Sequence, residues 1–171
     1  MYDRILLPTD GSAGMASAIT QCLHQARQHD ATVHALYVVD VRAYVMLPEE
    51  TRGRVRELLA AEGEETLAAL RDFFDDEGVT LRTELREGVP HEAILGYADE
   101  GDIDLIVMGT HGESGPSNRV VGSVAEEVVR NATIPVLTVR ANADDLPEVE
   151  SLVPDEEETT EITDEQSRYI T

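Results

Sequence analysis

In the stretch GTHGESGPSNRVVGS, residues 109–123, three of the four glycines and the last serine form a spaced pattern: Gly109, Gly112, Gly122 and Ser123. Glycine lets a backbone approach a bound group closely and, at Gly109 and Gly112, would let it reach positive φ. A helix that begins at Ser123 would direct its free N–H groups and positive dipole end at phosphate oxygens. The stretch therefore predicts an anion site formed by main-chain donors, with Arg119 as the fixed positive charge of the loop.

Other interpretations of the same loop are weighed against this one. Ser123 and Glu126 have the spacing of a capping box, which alone would explain the serine. A Walker A loop is excluded because that motif needs a lysine and the chain has none. The fragment GESG is one residue short of the nucleophile elbow G-x-S-x-G, so it does not indicate a hydrolase.

A second polar loop, PTDGS, follows the first apolar run of the chain. Asp10 stands where an acidic residue can accept a hydrogen bond from a ribose hydroxyl or an adenine amino group. The alternative is a simple turn in which Ser12 caps the first helix. Val41, just after the second predicted strand, would line the same crevice. The second loop therefore strengthens the prediction that the two loops form one ligand site.

These loops are positioned by an alternation of strands and helices. Apolar or alternating runs predict five strands: residues 4–8, 32–39, 79–86, 103–109 and 133–139. Helical patterns fall between them: around Ile19, Cys22, Leu23 and Ala26, and over residues 48–77, 90–98 and 123–130. This order predicts an α/β fold, a doubly wound open parallel five-stranded sheet with helices on both faces and 79–86 at an edge. Ligands bind such sheets beyond the strand ends where the order reverses, which is where the two loops lie.

Composition limits the function classes. The 13 basic residues are all arginines and stand against 35 acids, for a formal net charge of −22. Such a surface is typical of a protein that works in concentrated salt, and it argues against nucleic acid as a partner. The chain has neither an apolar run long enough to span a membrane nor a secretory signal pattern. We therefore expect a cytoplasmic protein.

The charge balance changes near residue 140. Residues 1–140 hold 24 acids and 12 arginines, whereas residues 141–171 hold 11 acids and Arg168 alone. The second segment has little apolar content. The sequence therefore predicts one domain over 1–140 and an acidic, disordered tail over 141–171.

The opening ILLPTDGS, the pattern G-x2-G-x9-G-S and the closing PVLTVR resemble the ATP-binding branch of the universal stress protein family over residues 2–140. The resemblance implies a Rossmann-like fold of the adenine-nucleotide alpha-hydrolase type, ATP in the crevice and a homodimer joined through the last strand, residues 133–139. It implies that Pro8, Thr9 and Asp10 lie near adenine and ribose, with Val41 near the base. It places a further set around ribose and phosphates: Met108, Gly109, His111, Gly112, Gly122, Ser123 and Val124. The chain departs from the family at Glu113, where a basic residue is usual.

The function predicted from the sequence is that of an ATP-binding, nucleotide-dependent regulatory dimer of the stress response. Mg²⁺ or Mn²⁺ bound to the triphosphate would lie beside Glu113. Two alternatives stay open: a slow ATP hydrolase or phosphotransferase, and a structural dimer without nucleotide. The sequence shows no general base or lysine near the phosphates, so no catalytic residue is assigned.

Overall fold

The computed structural model describes residues 1–110 and 122–140. Its strands are β1 (Arg4–Thr9), β2 (Thr32–Asp40), β3 (Leu81–Gly88), β4 (Leu105–Gly109) and β5 (Val136–Val139). Its helices are α1 (Ala16–His29), α2 (Glu49–Asp76), α3 (Pro90–Glu100) and α4 (Ser123–Asn131), with short 3-10 turns at Ala13–Met15 and Val41–Ala43. The predicted order of elements is confirmed. β5 begins three residues later than predicted, after Pro135, which has no N–H to donate to a ladder.

The strands form one parallel sheet in the order β3-β2-β1-β4-β5. The chain builds outward from β1 to β3, then crosses back to place β4 on the other side of β1. The predicted doubly wound five-stranded parallel sheet is confirmed, and so is the edge position of β3. The order reverses between β1 and β4, as the sequence predicted.

Helices cover both faces of the sheet. On one face α1 and α2 pack Cys22, Leu67 and Phe74 against Ile5 and Val33. On the other face α3 and α4 cover Leu6, Leu36 and Ile106 with a separate apolar cluster. The predicted inner face of the first helix is confirmed, because all four of its members are buried: Ile19, Cys22, Leu23 and Ala26. Among the described helices, none combines the length and the apolar character that crossing a membrane would require.

The ladder between β1 and β4 is short. Its paired residues are Ile5 with Leu105 and Leu6 with Ile106. By contrast, the β1–β2 ladder continues to Thr9 with Tyr37, and the β4–β5 ladder continues to Gly109 with Val139. β1 and β4 therefore part before their carboxyl ends, which opens a crevice at the edge of the sheet where the two polar loops begin.

Candidate functional site

The end of β1 forms a tight turn braced by its own side chains. Thr9, only 8% exposed, accepts a hydrogen bond at Oγ1 from the N–H of Gly11, 3.2 Å away. Asp10 Oδ1 accepts from both the N–H and the hydroxyl of Ser12, at 3.1 and 2.7 Å. The predicted turn is present, but the capping role for Ser12 is wrong because its hydroxyl is bound to Asp10. The Asp10 carboxylate is thus held in one orientation at the mouth of the crevice.

Gly11 is the residue that makes this turn possible. It has a φ of +77°, a backbone conformation that side chains disfavour. A Cβ at this position would also lie 2.9 Å from Oγ1 of Thr66 on α2. That hydroxyl is buried and has no hydrogen-bond partner among the described residues. The turn therefore packs directly on α2, and position 11 accepts only glycine without strain.

The end of β4 is joined to the beginning of α4 through Thr110. The N–H of Thr110 donates to the carbonyl of Val139, and its own carbonyl accepts from the N–H of Gly122, at 2.9 and 2.5 Å. Met108 and Thr110 are both buried. These bonds place the first turn of α4 beside the carboxyl end of β4. The helix therefore points its positive end at the crevice.

The first turn of α4 corrects two expectations. The N-cap residue is Gly122, whose carbonyl accepts from the N–H of Glu126 at 2.9 Å, so the capping box that starts at Ser123 is wrong. Gly122 has a φ of −68°, and Gly109 is not among the glycines with positive φ, so the φ freedom expected at Gly109 is not used. Gly122 also offers no side chain to cap the helix. The N–H groups of Ser123 and Val124 lie in the first turn, where the helix has no carbonyl to accept from them, and can serve a ligand.

The loop after β2 forms the side of the crevice next to β1. Val41 begins a 3-10 turn and is partly buried against the core of the α1–α2 face. Asp40 accepts hydrogen bonds from Arg42 at 2.7–3.1 Å. Burial raises the pKa of Asp40, but the hydrogen bonds and charge of Arg42 together outweigh it and leave the pKa below its usual value. Asp40 is therefore ionised and fully engaged with Arg42, and Val41 is the member of this turn that faces the core.

A buried tyrosine fixes the same loop to its neighbours. The hydroxyl of Tyr44 donates to Glu87 Oε1 at 2.5 Å, and Arg56 donates to Glu87 Oε2 at 2.6 Å. Burial and then the Glu87 hydrogen bond raise the pKa of Tyr44 to about 12. The bonds from Tyr44 and Arg56 hold the pKa of Glu87 below its usual value. One carboxylate thus links the β2 loop, β3 and the first half of α2.

The structure brings nine of the predicted site residues to one edge of the sheet: Pro8, Thr9, Asp10, Val41, Met108, Gly109, Gly122, Ser123 and Val124. Three others, His111, Gly112 and Arg119, lie outside the described residues, as does Glu113. Sequence reasoning missed Thr110, although it directly follows a strand end as Asp10 does. It also missed Thr66 and the Tyr44–Glu87 pair, whose roles depend on packing between elements far apart in sequence.

The arrangement is suited to binding an anion and a polar ring. It offers main-chain N–H donors at the start of α4 and a braced carboxylate at Asp10, on opposite sides of the opening between β4 and β1. Within residues 1–110 and 122–140, no group of three His, Cys, Asp or Glu side chains could hold a metal ion.

Known proteins are similar to this chain over its whole described length. The model of the universal stress protein family matches residues 1–140. The universal stress protein MJ0531 of Methanocaldococcus jannaschii is 43% identical over 141 residues, covering 82% of this chain and 83% of that protein.

Solved structures show the same fold. UspA of Lactobacillus plantarum has a TM-score of 0.75 and 33% identity, covering 81% of this chain and 98% of that chain. A universal stress protein solved in complex with cAMP has a TM-score of 0.57 and 25% identity, covering 82% and 98%. From the family match and the identity to MJ0531, the chain belongs to the universal stress protein family.

Proposed function

We propose that the protein binds ATP in the crevice between β1 and β4 and acts as a nucleotide-dependent regulatory dimer in the cytoplasm. The observation that carries the proposal is the first turn of α4, which is placed at the end of β4 by the Gly122–Thr110 hydrogen bond. Its main-chain donors can hold phosphate oxygens without a lysine. The family member solved with cAMP supports an adenine nucleotide as the ligand.

The proposed contacts follow from where each residue lies around the crevice. Asp10 accepts from the ribose or the adenine amino group, with Pro8, Thr9 and Val41 beside the base. The N–H groups of Ser123 and Val124 bind phosphate oxygens. His111, Gly112 and Arg119 complete the phosphate site from the segment outside the described residues. Mg²⁺ or Mn²⁺ is bound by the triphosphate, with Glu113 near it.

The dimer is proposed through β5. This strand has β4 on one side and is the last in the sheet order, so its other edge has no neighbour in the described chain. Bare edge strands are a liability in water unless they are covered. Three of its four residues are at least partly buried within a single chain. Pairing with the same strand of a second copy would satisfy its remaining main-chain groups.

Two substitutions at one position test the nucleotide site. Ser123→Pro removes the N–H of the first helical residue, where proline is compatible with a helix, whereas Ser123→Ala keeps that N–H and removes only the hydroxyl. We expect Ser123→Pro to weaken ATP binding about tenfold, the equivalent of one hydrogen bond to a charged group, and Ser123→Ala to change it little. Calorimetric titration with ATP is the measurement, and circular dichroism confirms folding. Equal affinity of both variants and the unaltered protein would show that the helix start does not hold phosphate.

A further inference from the structure

One buried hydroxyl on α2 has no hydrogen-bond partner. Two buried side-chain polar atoms lack a partner among the described residues, and both belong to α2: Arg52 Nε and Thr66 Oγ1. The Arg52 side chain is 39% exposed and its Nη2 donates to the carbonyl of Leu47, so its guanidinium is bound through another nitrogen. Thr66 is only 3% exposed, and its hydroxyl is its one polar side-chain group. Thr66 is therefore the buried side chain whose polarity the packing does not explain.

The hydroxyl faces the turn that follows β1, residues 9–12, which we call the Asp10 turn. A Cβ at Gly11 would lie 2.9 Å from Thr66 Oγ1 but 3.7 Å from Thr66 Cγ2, so the polar end of the side chain is directed at Gly11. A helical threonine can instead donate to the carbonyl one turn back, and Thr66 does not. The Asp10 turn carries the carboxylate that we assign above to ribose or adenine.

The helix is held close to the sheet beside Thr66. Gly63, nearly one helical turn earlier, lies so near β2 that a Cβ there would be 2.5 Å from Cδ1 of Tyr37. The neighbour of Tyr37 in the ladder to β1 is Thr9, the first residue of the Asp10 turn. Leu67, next to Thr66, is 2% exposed and belongs to the core of this face. Close packing fixes α2, so the turn is the more mobile side of the contact.

The Asp10 turn can change its conformation. Gly11 has a φ of +77°, and glycine adopts positive and negative φ about equally, so a rotation at this residue has a low steric cost. The bond from the N–H of Gly11 to Thr9 Oγ1 is at the long end of the usual range, at 3.2 Å. Asp10 Oδ1 accepts both bonds from Ser12. A ligand that donates to the Asp10 carboxylate competes with these bonds and thus acts on the turn itself.

We propose that Thr66 is a positioning residue for the adenosine half of the nucleotide, an inference that rests on the proposed function. When the ligand donates to Asp10, the turn rotates at Gly11 and brings a main-chain carbonyl to the Thr66 hydroxyl, which donates to it. A buried hydroxyl without a partner destabilises the free form, and this cost disappears on binding. The bond exists only in the bound form, so it increases ligand affinity without stabilising the free chain.

Two substitutions at position 66 test the proposal in the full chain. Thr66→Val keeps the shape of the side chain and removes the hydroxyl, whereas Thr66→Ser keeps the hydroxyl. We expect Thr66→Val to weaken binding of both ATP and adenosine about tenfold, as the loss of one buried hydrogen bond would, and Thr66→Ser to change it little. Thr20→Val is the matched control, because it removes a threonine hydroxyl of α1 that donates to the carbonyl of Ala16. Calorimetric titration is the measurement.

The amide signal of Gly11 distinguishes a bond that forms on binding from a general packing effect. In isotopically labelled chains, saturating ATP should shift this signal strongly in the unaltered protein and in Thr66→Ser. It should shift the signal less in Thr66→Val, where the turn has no hydroxyl to bind. Without nucleotide, Thr66→Val should be as stable as the unaltered chain or more stable, which separates a loss of affinity from a loss of folding.

The outcomes separate this inference from the proposed function. If Ser123→Pro weakens ATP binding but Thr66→Val binds ATP and adenosine normally, the nucleotide site stands and the role of Thr66 is wrong. Equal losses in Thr66→Val and Thr20→Val, or a Gly11 signal that ATP shifts equally in Thr66→Val and the unaltered chain, would also overturn it. A less stable Thr66→Val without nucleotide would show that the hydroxyl is already paired in the free form. If the unaltered chain binds neither ATP nor adenosine, the proposed function fails and this inference fails with it.

Discussion

The N–H of Gly122 donates to the carbonyl oxygen of Thr110 across 2.5 Å, while the N–H of Thr110 donates to Val139. One residue thus fixes the end of β4, the start of α4 and the end of β5 relative to one another. Helix termini bind anions only when their donors are held in place, so this pair of bonds supports the phosphate site proposed for an acidic chain without lysine.

Glycine at position 11 should be required for stability. We expect Gly11→Ala to lower the free energy of unfolding by about 1–3 kcal/mol, because its φ is +77° and the added methyl meets Thr66 Oγ1. Gly53→Ala is the control, since a methyl there meets nothing within 4 Å and alanine is the better helix former. Urea unfolding measures both. Thr66→Ala removes the contacted oxygen, so Gly11→Ala made in that background should lose only the conformational part; no loss at all would show that φ contributes nothing.

The buried hydroxyl of Thr66 should be dispensable. Thr66→Val keeps the shape of the side chain and removes a hydroxyl that has no partner among the described residues. We expect stability to stay the same or rise by up to about 1 kcal/mol, because no hydrogen bond is lost and a polar group leaves the core. Urea unfolding is again the measurement. A clear loss of stability would reveal a bound water or ligand group that the hydroxyl serves.

His34 should make the fold sensitive to mild acid. Its Nδ1 lies 2.8 Å from the Tyr97 hydroxyl, and burial, followed by the charges of Arg82 and Arg4, lowers the pKa of His34 below its ordinary 6.5. The unfolded chain therefore takes up this proton more readily than the folded one. The stabilising contribution is complete above about pH 6.5 and is lost as the pH falls through the folded pKa.

The measurement for His34 is the free energy of unfolding between about pH 7 and 5, a range above the titration of most carboxylates. His34→Gln should flatten the dependence in this range. His24→Gln, on the exposed side of α1, should leave it as in the unaltered protein. An unchanged slope in His34→Gln would assign the acid sensitivity to other groups.

ATP affinity should rise with salt. The field of a surface with net charge −22 repels a polyanion, and it extends about 30 Å at 0.01 M salt but about 3 Å at 1 M. Fixed main-chain donors are little affected by this screening. We expect tighter binding at molar salt and with Mg²⁺, and a gain from Glu113→Arg that is greatest at low ionic strength. The measurement is calorimetric titration with ATP at increasing salt concentrations, with folding checked at each concentration. An ATP affinity that falls steadily as salt rises would assign phosphate binding to the arginines.

Removal of residues 141–171 should leave the fold intact. The five described strands and both apolar clusters are formed by residues that precede Arg140. Few apolar residues lie beyond Arg140, so their removal should change the free energy of unfolding by less than about 1 kcal/mol. Thermal and urea unfolding of the chain ended at Arg140 measure this. A much larger loss would place the segment within the core and contradict its predicted disorder.

The periodic parts of the sequence specified the fold. The spacing of Ile19, Cys22 and Ala26 depends only on helix geometry. The run at 33–39, apolar except for His34, depends only on burial on both faces. Positions that depend on contacts between distant elements were not accessible in this way. The close approach at Gly63 requires Tyr37 and Leu85 from two strands, and no local pattern marks it.

The same distinction applies to the candidate site. Its location followed from the strand order, and its residues from the ends of β1 and β4. The sequence did not predict which residue caps α4, because serine and glycine both favour the N-cap position. The hydrogen bond from the N–H of Gly122 to the carbonyl of Thr110 decides in favour of Gly122. Likewise, nothing in the sequence distinguishes Thr66, whose buried hydroxyl has no hydrogen-bond partner among the described residues, from other polar residues of a helix.

The two-pair ladder between β1 and β4 also bears on how the chain is synthesised. At one end of this ladder the N–H of Arg4 donates to Asp104 Oδ2. These two residues are 100 positions apart in the sequence. Closing a loop of that length costs about 4 kcal/mol of chain entropy, in addition to a constant that does not depend on length. On the ribosome, β1, β2 and β3 emerge before β4 exists. Until then one edge of β1, whose Ile5, Leu6 and Leu7 are fully buried in the folded chain, has no neighbour. Aggregation of the nascent chain is therefore a greater hazard in this interval than at any later stage, and a chaperone that shields β1 would act there.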